Sequence, residues 1–389
     1  MAIGVGLIGC GGRLRAVVER LLKATDGVSV VAVHDPNEAS VDAARAAFNP
    51  DATVHATDTA LCEDAAVDWV MIGSWNCFHA DQVIAAFAAG KHVFCEKPLA
   101  LTMDDCLRMR EAWQASGRQF SIGFTLRYSP HYVRVHELIQ SGAIGNIISM
   151  EFNETLDFNH GGYIHADWRR KTEWAGSHLL EKCCHDIDLV NWMVGSTVVR
   201  AASFGGCDFF VPENAHHVDR LGKDEDQRDA FQVWSQRMQP PPPGNVIDPF
   251  GADKDIVDNQ VAILQFANKV RVTFHTNCVS AIPERRMYIC GDKGTIRADV
   301  MTGSIELKRL GFDTVIENCS TEASGGHGGG DDILAKSLSE SMLEGVDPRT
   351  SLDDGLRAAL TVFGIDEAMN TGRVVDLTPL WSRAGIAVA

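Results

Sequence analysis

The chain has 389 residues, of which 45% are hydrophobic and 22% are charged, a composition typical of a globular protein with two domains. The formal net charge of −17 argues against nucleic acid and anionic membrane surfaces as partners, because each requires a basic face. No apolar run reaches the ~18 residues that a membrane-spanning helix needs, and no basic leader precedes Ile3, so a cytoplasmic location is expected.

Eleven cysteines are scattered along the chain without a disulfide framework and without a Cys-x-x-Cys pair. They are expected to be reduced thiols in a reducing compartment. The run Cys183-Cys184-His185 invites a metal-binding interpretation. Because adjacent side chains on a helix point about 100° apart, the two cysteines rarely share an ion, and no metal is expected.

Residues 1–124 alternate between strand and helix patterns. Strands are predicted at Ile3–Ile8, Val28–His34, Thr53–Ala56, Asp68–Gly73, His92–Cys95 and Gln119–Phe124. Two of the intervening helices are predicted at Ala80–Ala89 and Thr102–Ser116, the second with Thr102 as its N-cap. This α/β repetition predicts a Rossmann domain, a doubly wound parallel sheet, over residues 1–124.

The first strand ends in a glycine-rich turn that opens a helix. Its candidate cofactor contacts are Gly9, Cys10, Gly11, Gly12, Arg13 and Leu14. Gly9 permits a tight turn, and Gly11 lets the backbone approach a pyrophosphate held by the helix N-terminus. Leu14 stands where the motif G-x-G-x-x-G has its third glycine, and Gly12 is a candidate to supply the missing space.

Asp35 follows the second predicted strand directly. A carboxylate at this position accepts hydrogen bonds from the adenosine ribose hydroxyls and repels a 2′-phosphate, so NAD is favoured over NADP. The alternative is that Asp35 is only a turn residue before Pro36.

The segment Gly90–Pro98 (GKHVFCEKP) reads as an apolar strand that delivers Glu96 and Lys97 and then stops at a proline. A lysine ammonium beside a reacting oxygen stabilises a developing alkoxide. The segment therefore predicts a charged catalytic group on the same domain as the cofactor.

After Phe124 the pattern changes to longer strands with hairpin-like spacing, which predicts an α+β domain over residues 125–389 with a large, mostly antiparallel open sheet. Strands are predicted at Ile147–Glu154, Val198–Phe204, Gln260–Phe266, Arg271–Asn277 and Arg286–Cys290. Helices are predicted at Tyr132–Gln140, His178–Met193, Ile333–Leu343 and Leu352–Met369. Residues 211–256 are polar, acidic and proline-rich, and are interpreted as an insertion or flap rather than core, with an ordinary surface loop as the alternative.

The predicted helix His178–Met193 places Glu181 and His185 four residues apart and so on one face. Oxidation of a secondary alcohol needs a base for the hydroxyl proton, and histidine has a matching pKa that a neighbouring carboxylate raises. The alternative for His185 is a partly buried histidine bonded to Glu181 or to a backbone carbonyl.

Several segments together resemble the glucose–fructose oxidoreductase/inositol dehydrogenase (Gfo/Idh/MocA) family. They are the nucleotide turn at Gly9–Gly12, Asn76–His79, the hallmark Gly90–Pro98, Trp168-Arg169 followed by Gly176–Asp188, and the glycine-rich Gly325–Asp331. The resemblance covers essentially the whole chain. It implies a Rossmann domain, a C-terminal α/β domain whose open sheet often forms oligomers, and NAD as cofactor.

The resemblance also implies site residues. The catalytic group is mapped onto Lys97, Glu181 and His185, and the Lys97–Pro98 peptide is expected to be cis. The nicotinamide half of the cofactor is expected near Ser74, Trp75, His79, Glu96, Lys97, Arg127 and Trp168. Glu181 stands where members usually carry Asp, and Lys182 is unusual, either as a substrate contact or as a solvated helix residue.

The leading hypothesis is an NAD-dependent dehydrogenase that oxidises a secondary hydroxyl of a sugar, glycoside or cyclitol and forms a homodimer or homotetramer. Candidate substrate contacts are Lys97, Arg127, Tyr163, His165, Arg169, Lys182, His185 and His327, with the Asn159–Asp167 loop closing over the ligand through Gly161 and Gly162. One alternative is a redox-neutral, NAD-dependent glycosidase in which His160, Tyr163 or His165 is a further base. The other is a non-catalytic sugar- or cofactor-binding regulator, against which the presence of both Lys97 and His185 argues.

Overall fold

A computed structural model describes residues 2–225, 227, 230–231, 248–321 and 326–389. The chain forms two compact units. The first unit comprises Met1–Ser129 and Gly329–Ala359, and the second comprises Pro130–Gly328 and Leu360–Ala389. No helix in the described ranges is long and apolar enough to cross a membrane.

The first unit contains a six-stranded sheet with the order β3-β2-β1-β4-β5-β6, in which every pair is parallel. Its strands are β1 Ile3–Ile8, β2 Val28–His34, β3 Thr53–Val54, β4 Trp69–Ile72, β5 His92–Cys95 and β6 Phe120–Ile122. β4 is buried along its whole length, as expected for a parallel sheet that helices cover on both faces. This confirms the predicted Rossmann fold.

Helices connect the strands of this sheet as the alternating pattern predicts. They are α1 Gly12–Ala24, α2 Glu38–Phe48, α3 Asp58–Cys62, α4 His79–Ala88 and α5 Met103–Ser116. Thr102 caps α5, since its Oγ1 accepts a hydrogen bond of 3.1 Å from the backbone N–H of Asp105.

The predicted domain bounds, 1–124 and 125–389, stay a prediction, and the structure adds that residues 329–359 pack with the first unit. The helix Gly330–Glu344 buries Leu334 and Leu338 in the same hydrophobic core as Val17 and Leu21 of α1. An apolar face shared with a helix more than 300 positions earlier is a tertiary property that the local pattern does not encode.

The second unit contains a nine-stranded sheet with the order β14-β13-β12-β11-β7-β10-β9-β8-β15. Its strands are β7 Ile147–Asp157, β8 Val198–Gly206, β9 Asn259–Phe266, β10 Arg271–Ser280, β11 Arg286–Gly291, β12 Gly294–Asp299, β13 Ser304–Arg309, β14 Glu317–Asn318 and β15 Val375–Asp376. Among the described strands of this second sheet, only the β7–β10 pair is parallel. The prediction of a mostly antiparallel sheet is therefore confirmed.

The helices that follow residue 129 are α6 Pro130–Gln140, α7 Phe158–Ala166, α8 Thr172–Ala175, α9 His178–Glu181, α10 Cys184–Val194, α11 Val218–Leu221, α12 Gly330–Glu344, α13 Leu352–Thr371 and α14 Thr378–Arg383. α13 runs from the first unit into the second. In β9 and β10 buried and more exposed residues alternate, so one face of the sheet is core and the other is open.

Three predictions for the second unit are corrected. The predicted helix His178–Met193 is two helices, α9 and α10, which are interrupted at Lys182 and Cys183. The predicted loop Asn159–Asp167 is largely the helix α7. The 211–256 segment contributes buried core, including Phe250 and Ile256, although its residues 226, 228–229 and 232–247 lie outside the described part of the chain.

Candidate active site

The glycine-rich turn after β1 has the backbone that the sequence predicts. Gly9 has φ = +79°, a conformation that favours glycine. A Cβ on Gly9 would also lie 2.3 Å from the backbone nitrogen of Ser74, so no side chain fits there. Gly11 is the N-cap of α1, which leaves the first amides of that helix available to an anionic group.

Leu14 occupies the place of the third glycine, and the structure explains how this is accommodated. Its side chain is fully buried. A Cβ on Gly73, at the end of β4, would lie 2.6 Å from the Cβ of Leu14. The small residue that allows close packing of the helix on the sheet is therefore on β4 rather than on α1.

Asp35 lies against the nucleotide turn. Its Oδ2 accepts a hydrogen bond of 2.7 Å from the backbone N–H of Cys10, and its Oδ1 accepts one of 2.8 Å from that of Asn37. A glycine cradle that a Cβ would fill, an open helix N-terminus and a carboxylate at the end of β2 are the features that a dinucleotide requires. The residues present therefore fit the predicted cofactor.

Arg13 is tied to the predicted Glu96-Lys97 segment by hydrogen bonds. Its guanidinium donates to Glu96 Oε1 at 2.8 Å, to Asp331 Oδ1 at 2.7 Å and to Thr125 Oγ1 at 2.9 Å. Glu96 Oε2 in turn lies 3.3 Å from the backbone nitrogen of Lys97. These contacts assign Arg13 to the support of Glu96, and the contribution of Asp331 is a role that the sequence did not predict.

His79 lies beneath the segment and is fully buried. Its Nδ1 is 2.8 Å from the carbonyl oxygen of Pro98, and its Nε2 is 3.3 Å from that of Ser74. Burial lowers the pKa of His79, so the ring is neutral and donates from one nitrogen. The contact with the Pro98 carbonyl is the shorter of the two, which assigns His79 to the support of that backbone, and the Lys97–Pro98 peptide is cis as expected.

Trp75 and Arg127 complete the candidates of the first unit. The Trp75 side chain is 41% exposed, which leaves its ring available to a ligand. The Arg127 guanidinium is 3.0 Å from Asp354 Oδ1, so its charge is already paired within this unit.

Arg169 organises the candidate substrate site of the second unit. Its guanidinium donates to Glu181 Oε1 at 3.0 Å, to Asp167 Oδ2 at 2.5 Å and to the hydroxyl oxygen of Tyr163 at 3.1 Å. It also lies over the Trp168 ring, 4.5 Å from the centroid. Arg169 therefore brings together the side chains of Tyr163, Asp167, Trp168 and Glu181.

Lys182 belongs to a buried network of ion pairs. Its Nζ is 3.0 Å from Glu154 Oε1, so Lys182 is not simply a solvated helix residue. Arg285 also contacts Glu154 at 3.2 Å and binds Asp186 through two hydrogen bonds of 2.7 Å. Glu154, Asp186 and Arg285 were not predicted, because their charges are paired across the sheet rather than along a motif.

The same network bears on the metal interpretation. Ligand-type atoms of Glu154, Cys183 and Asp186 lie within 4.8 Å of one another, but both carboxylates already bind the Arg285 guanidinium. Burial raises the pKa of Cys183 well above its ordinary value, which disfavours the thiolate that a metal requires.

His185 is the second residue of α10 and is buried. Its ring centroid lies 5.7 Å from that of His327, which has φ = +51° in the glycine-rich loop. The interruption at Lys182 and Cys183 means that Glu181 and His185 are not on one continuous helix, and the Glu181 carboxylate binds Arg169. That Lys97, Glu181 and His185 act together therefore stays a prediction.

The two histidines of α7, His160 and His165, were predicted to lie in a substrate-binding loop, and the structure places them differently. Both ring nitrogens of His165 approach backbone carbonyls, Gly161 at 2.8 Å and Val257 at 3.3 Å, inside the core of this unit. The structure therefore does not bring His165 to the group around Arg169. Burial and, secondly, the Lys182 charge lower the pKa of His160 to about 3.

Gly161 and Gly162 serve close packing rather than closure over a ligand. A Cβ on Gly161 would lie 1.9 Å from the carbonyl oxygen of Cys278, and one on Gly162 would lie 2.1 Å from the Phe231 ring. The two glycines let α7 fit between β10 and Phe231.

Comparison with known proteins identifies the family. Residues 3–124 match the model described as oxidoreductase family, NAD-binding Rossmann fold, and residues 136–377 match that family's C-terminal alpha/beta domain. The chain belongs to the Gfo/Idh/MocA oxidoreductase family. This confirms the predicted resemblance and the prediction of an NAD-binding Rossmann domain.

Relatives of the Gfo/Idh/MocA chain include inositol 2-dehydrogenases. The enzyme of Gluconacetobacter diazotrophicus is 34% identical over 205 residues, which is 52% of this chain, and the chain spans 57% of that relative's length. The enzyme of Ralstonia nicotianae is 35% identical over 202 residues, with 52% and 57% covered.

Among solved structures, levoglucosan dehydrogenase in complex with NADH and levoglucosan has a TM-score of 0.78 at 20% identity, covering 97% of this chain and 100% of that one. Apo scyllo-inositol dehydrogenase from Lactobacillus casei has a TM-score of 0.71 at 18% identity, covering 97% and 98%. These two likenesses show the shared fold.

Proposed function

We propose that the protein is an NAD-dependent oxidoreductase that removes hydride from a secondary hydroxyl-bearing carbon of a sugar, glycoside or cyclitol. The observation that carries the proposal is that one chain holds both a dinucleotide cradle, in its first unit, and an Arg169-centred polar group, in its second. A binding protein has no need for an acid–base pair such as Lys97 and His185. The inositol 2-dehydrogenase relatives support the same class of reaction.

The cofactor is held by the nucleotide turn and by Asp35. Gly9 and Gly11 allow the backbone to approach the pyrophosphate, and the N-terminal amides of α1 bind it. Asp35 accepts hydrogen bonds from the ribose hydroxyls and disfavours a 2′-phosphate, so NAD is preferred. NAD, when bound, supplies the nicotinamide carbon that takes up the hydride.

The catalytic roles fall to Lys97, Glu181 and His185. His185 accepts the hydroxyl proton at a ring nitrogen while the carbon–hydrogen bond gives up its electron pair. The Lys97 ammonium donates a hydrogen bond to the oxygen as it becomes a carbonyl. Glu181, fixed by Arg169, provides a negative charge that favours the protonated imidazole.

The substrate hydroxyls are bound by polar side chains whose charges are already paired. Tyr163 and Arg169 share one hydrogen-bond group, Lys182 is paired with Glu154, and His327 lies beside His185. Paired groups of this kind keep N–H and O–H donors in fixed directions without creating an excess of positive charge. This arrangement suits a neutral polyol.

The redox-neutral glycosidase requires a further base for the proton next to the carbonyl, and the three candidates are poorly suited. His165 faces the core, and the pKa of His160 is lowered to about 3. Burial raises the pKa of Tyr163 to about 12. The dehydrogenase is therefore the function that the geometry favours.

The test is NADH formation by the purified protein with NAD and a panel of free sugars, inositols, glycosides and anhydrosugars. The proposal expects an absorbance increase with at least one neutral polyol. If no substrate in the panel yields NADH and NAD is recovered from the protein after denaturation and extraction, the glycosidase is favoured. If no substrate yields NADH and the protein holds no nucleotide, the cofactor assignment is refuted.

We also propose that the open face of the nine-stranded sheet joins copies of the chain. Phe204 and Val261 are directly paired across β8 and β9 and are 70% and 47% exposed, and nearby Ile263 is 59% exposed. Exposed apolar residues in such a group are typical of an interface. Light scattering after size exclusion should show an oligomer in the wild type and a smaller species for Ile263→Asp, and a monomeric wild type refutes this.

A further inference from the structure

Three phenylalanines of the 207–258 segment form a compact buried group, which we call the clamp: Phe210, Phe231 and Phe250. Their ring centroids lie 5.9, 5.7 and 5.6 Å apart, and none is more than 3% exposed. A polar, proline-rich segment that buries three aromatic rings is anchored to the unit rather than lying loosely on it.

The clamp holds the beginning of α7. The backbone N–H of Phe231 donates a hydrogen bond of 2.6 Å to Asn159 Oδ1, and its ring meets that of Phe158 edge-on at 6.1 Å. Gly162 provides the space for the Phe231 ring. Phe231 has φ = +70°, an unfavourable conformation for a bulky residue, which the surrounding contacts must over-determine.

The clamp also holds the C-terminal end of α7. The His165 ring stacks on Phe210 with centroids 4.5 Å apart and planes at 23°. Its two nitrogens face the carbonyls of Gly161 on α7 and of Val257, which lies in the same segment as the clamp. His165 therefore joins the helix to the segment.

Residues 170–172, which follow the predicted substrate contact Arg169, are fixed by the same 207–258 segment. Asp255 accepts hydrogen bonds from the backbone N–H of Thr172 at 2.7 Å and from its hydroxyl at 3.0 Å. The backbone N–H of Asp255 donates to the carbonyl of Arg170 at 3.2 Å. The neighbouring Asp253 pairs with Lys171 at 2.6 Å. Residues 158–172 are thus held at both ends.

Tyr163, Asp167 and Arg169 lie between these two anchors. Arg169 donates hydrogen bonds to the other two residues and to Glu181. We propose that the clamp and Asp255 are positioning elements that set the substrate specificity of this site by fixing the stretch 158–172. The functional part of this inference rests on the proposed polyol dehydrogenase. Because the clamp acts on α7 and not on the nucleotide turn, it governs binding of the polyol and leaves binding of NAD unchanged.

The experiment compares Phe231→Ala and the milder Asp255→Ala with wild type. The matched control is Phe312→Ala, which removes a fully exposed phenylalanine of the second unit. We expect faster amide hydrogen exchange confined to residues 158–172, a polyol KM raised about tenfold or more in Phe231→Ala, and kcat changed by less than about threefold. The KM for NAD should stay at the wild-type value, and Asp255→Ala should show the same changes with smaller size.

Two readouts separate this inference from the proposed function. A wild type that forms no NADH with any polyol refutes the proposed function, while hydrogen exchange still decides whether the clamp fixes α7. Unchanged exchange at residues 158–172 in both variants overturns the inference. So does an unchanged polyol KM despite faster exchange, or a KM for NAD that rises in parallel with that for the polyol. If Phe231→Ala does not fold, Asp255→Ala alone decides between these outcomes.

Discussion

The nucleotide turn and the Arg169-centred group are built in different ways. The turn is a backbone structure, in which Gly9 adopts a positive φ and Gly11 caps a helix within a few residues of each other. The substrate group is a side-chain structure, in which Arg169 is shared by two carboxylates and a phenol from three elements. A backbone device depends on the absence of side chains, whereas a side-chain network depends on the balance of buried charges.

The difference has an energetic consequence. A glycine turn fails when a Cβ is added, and the damage stays local. A buried ion-pair network fails when one partner is removed, because the remaining charges lose their compensation. Substitutions in the two regions should therefore differ in the size of their effects.

The catalytic residues should show the largest effect. Lys97→Ala and His185→Ala are expected to lower turnover by about 10²–10⁴-fold with the fold intact, because each removes a group that acts on the reacting oxygen or its proton. Steady-state kinetics with the best polyol checks this, with Lys23→Ala and His216→Ala, both exposed and outside the sheets, as matched controls. A loss below tenfold at either position contradicts the role assigned to it.

The charge network is tested by Arg285→Met. Removal of the guanidinium leaves Asp186 buried without the cation it binds and Glu154 paired with Lys182 alone, so the free energy of unfolding should fall by about 3–5 kcal/mol in urea denaturation. Arg297→Met is the control, because its pair with Glu306 is exposed and should cost below about 1 kcal/mol. Equal losses in the two variants contradict the network, and adding Asp186→Asn to Arg285→Met should recover part of the loss.

The nucleotide side of the comparison is tested by Asp35→Ser. Loss of the carboxylate removes the ribose hydrogen bonds and the repulsion of a 2′-phosphate, so the preference for NAD over NADP should fall about tenfold. The ratio of kcat/KM for the two cofactors measures this. Asp26→Ser, which removes an equal charge from an exposed position of the same unit, should leave the ratio unchanged. An unaltered ratio in Asp35→Ser refutes the ribose assignment.

The free energy of unfolding is expected to depend on pH through Asp366 of α13. Burial raises the pKa of Asp366 from 3.8 to about 6, and its hydrogen bonds with Ser177 and Gln260 only partly offset this. The unfolded chain therefore ionises first, and stability falls as pH rises from about 4 to about 6. Asp366→Asn should gain stability over wild type by at most about 3 kcal/mol above this range and nothing well below it, in urea denaturation at several pH values. A difference that does not vary with pH contradicts the assignment.

The first unit could be predicted closely from the sequence, since its strands and its nucleotide turn depend on local apolar runs and on glycines. The second unit could be predicted less well. Lys182, at the interruption, pairs with Glu154, which lies 28 positions earlier, and the start of α7 binds the backbone of Phe231. Contacts of this kind are set by tertiary packing, which neither periodicity nor spacing reports.

The family motifs pointed to Arg13 and Lys182 but not to the residues that pair with them. Asp331 binds Arg13 and Glu154 binds Lys182, each from a distant part of the chain, and Arg285 binds Glu154 in turn. The signal available in the sequence was the unusual Lys182, since a lysine next to a predicted catalytic acid requires a counter-charge.

In the proposed reaction, hydride leaves a carbon of a neutral polyol and is taken up by NAD. This transfer is tested by NADH formation from a substrate deuterated at its hydroxyl-bearing carbons, compared with the unlabelled substrate. We expect slower formation of the reduced cofactor and deuterium on its nicotinamide ring. Reduced cofactor without deuterium, or no reduced cofactor from any polyol, would contradict it.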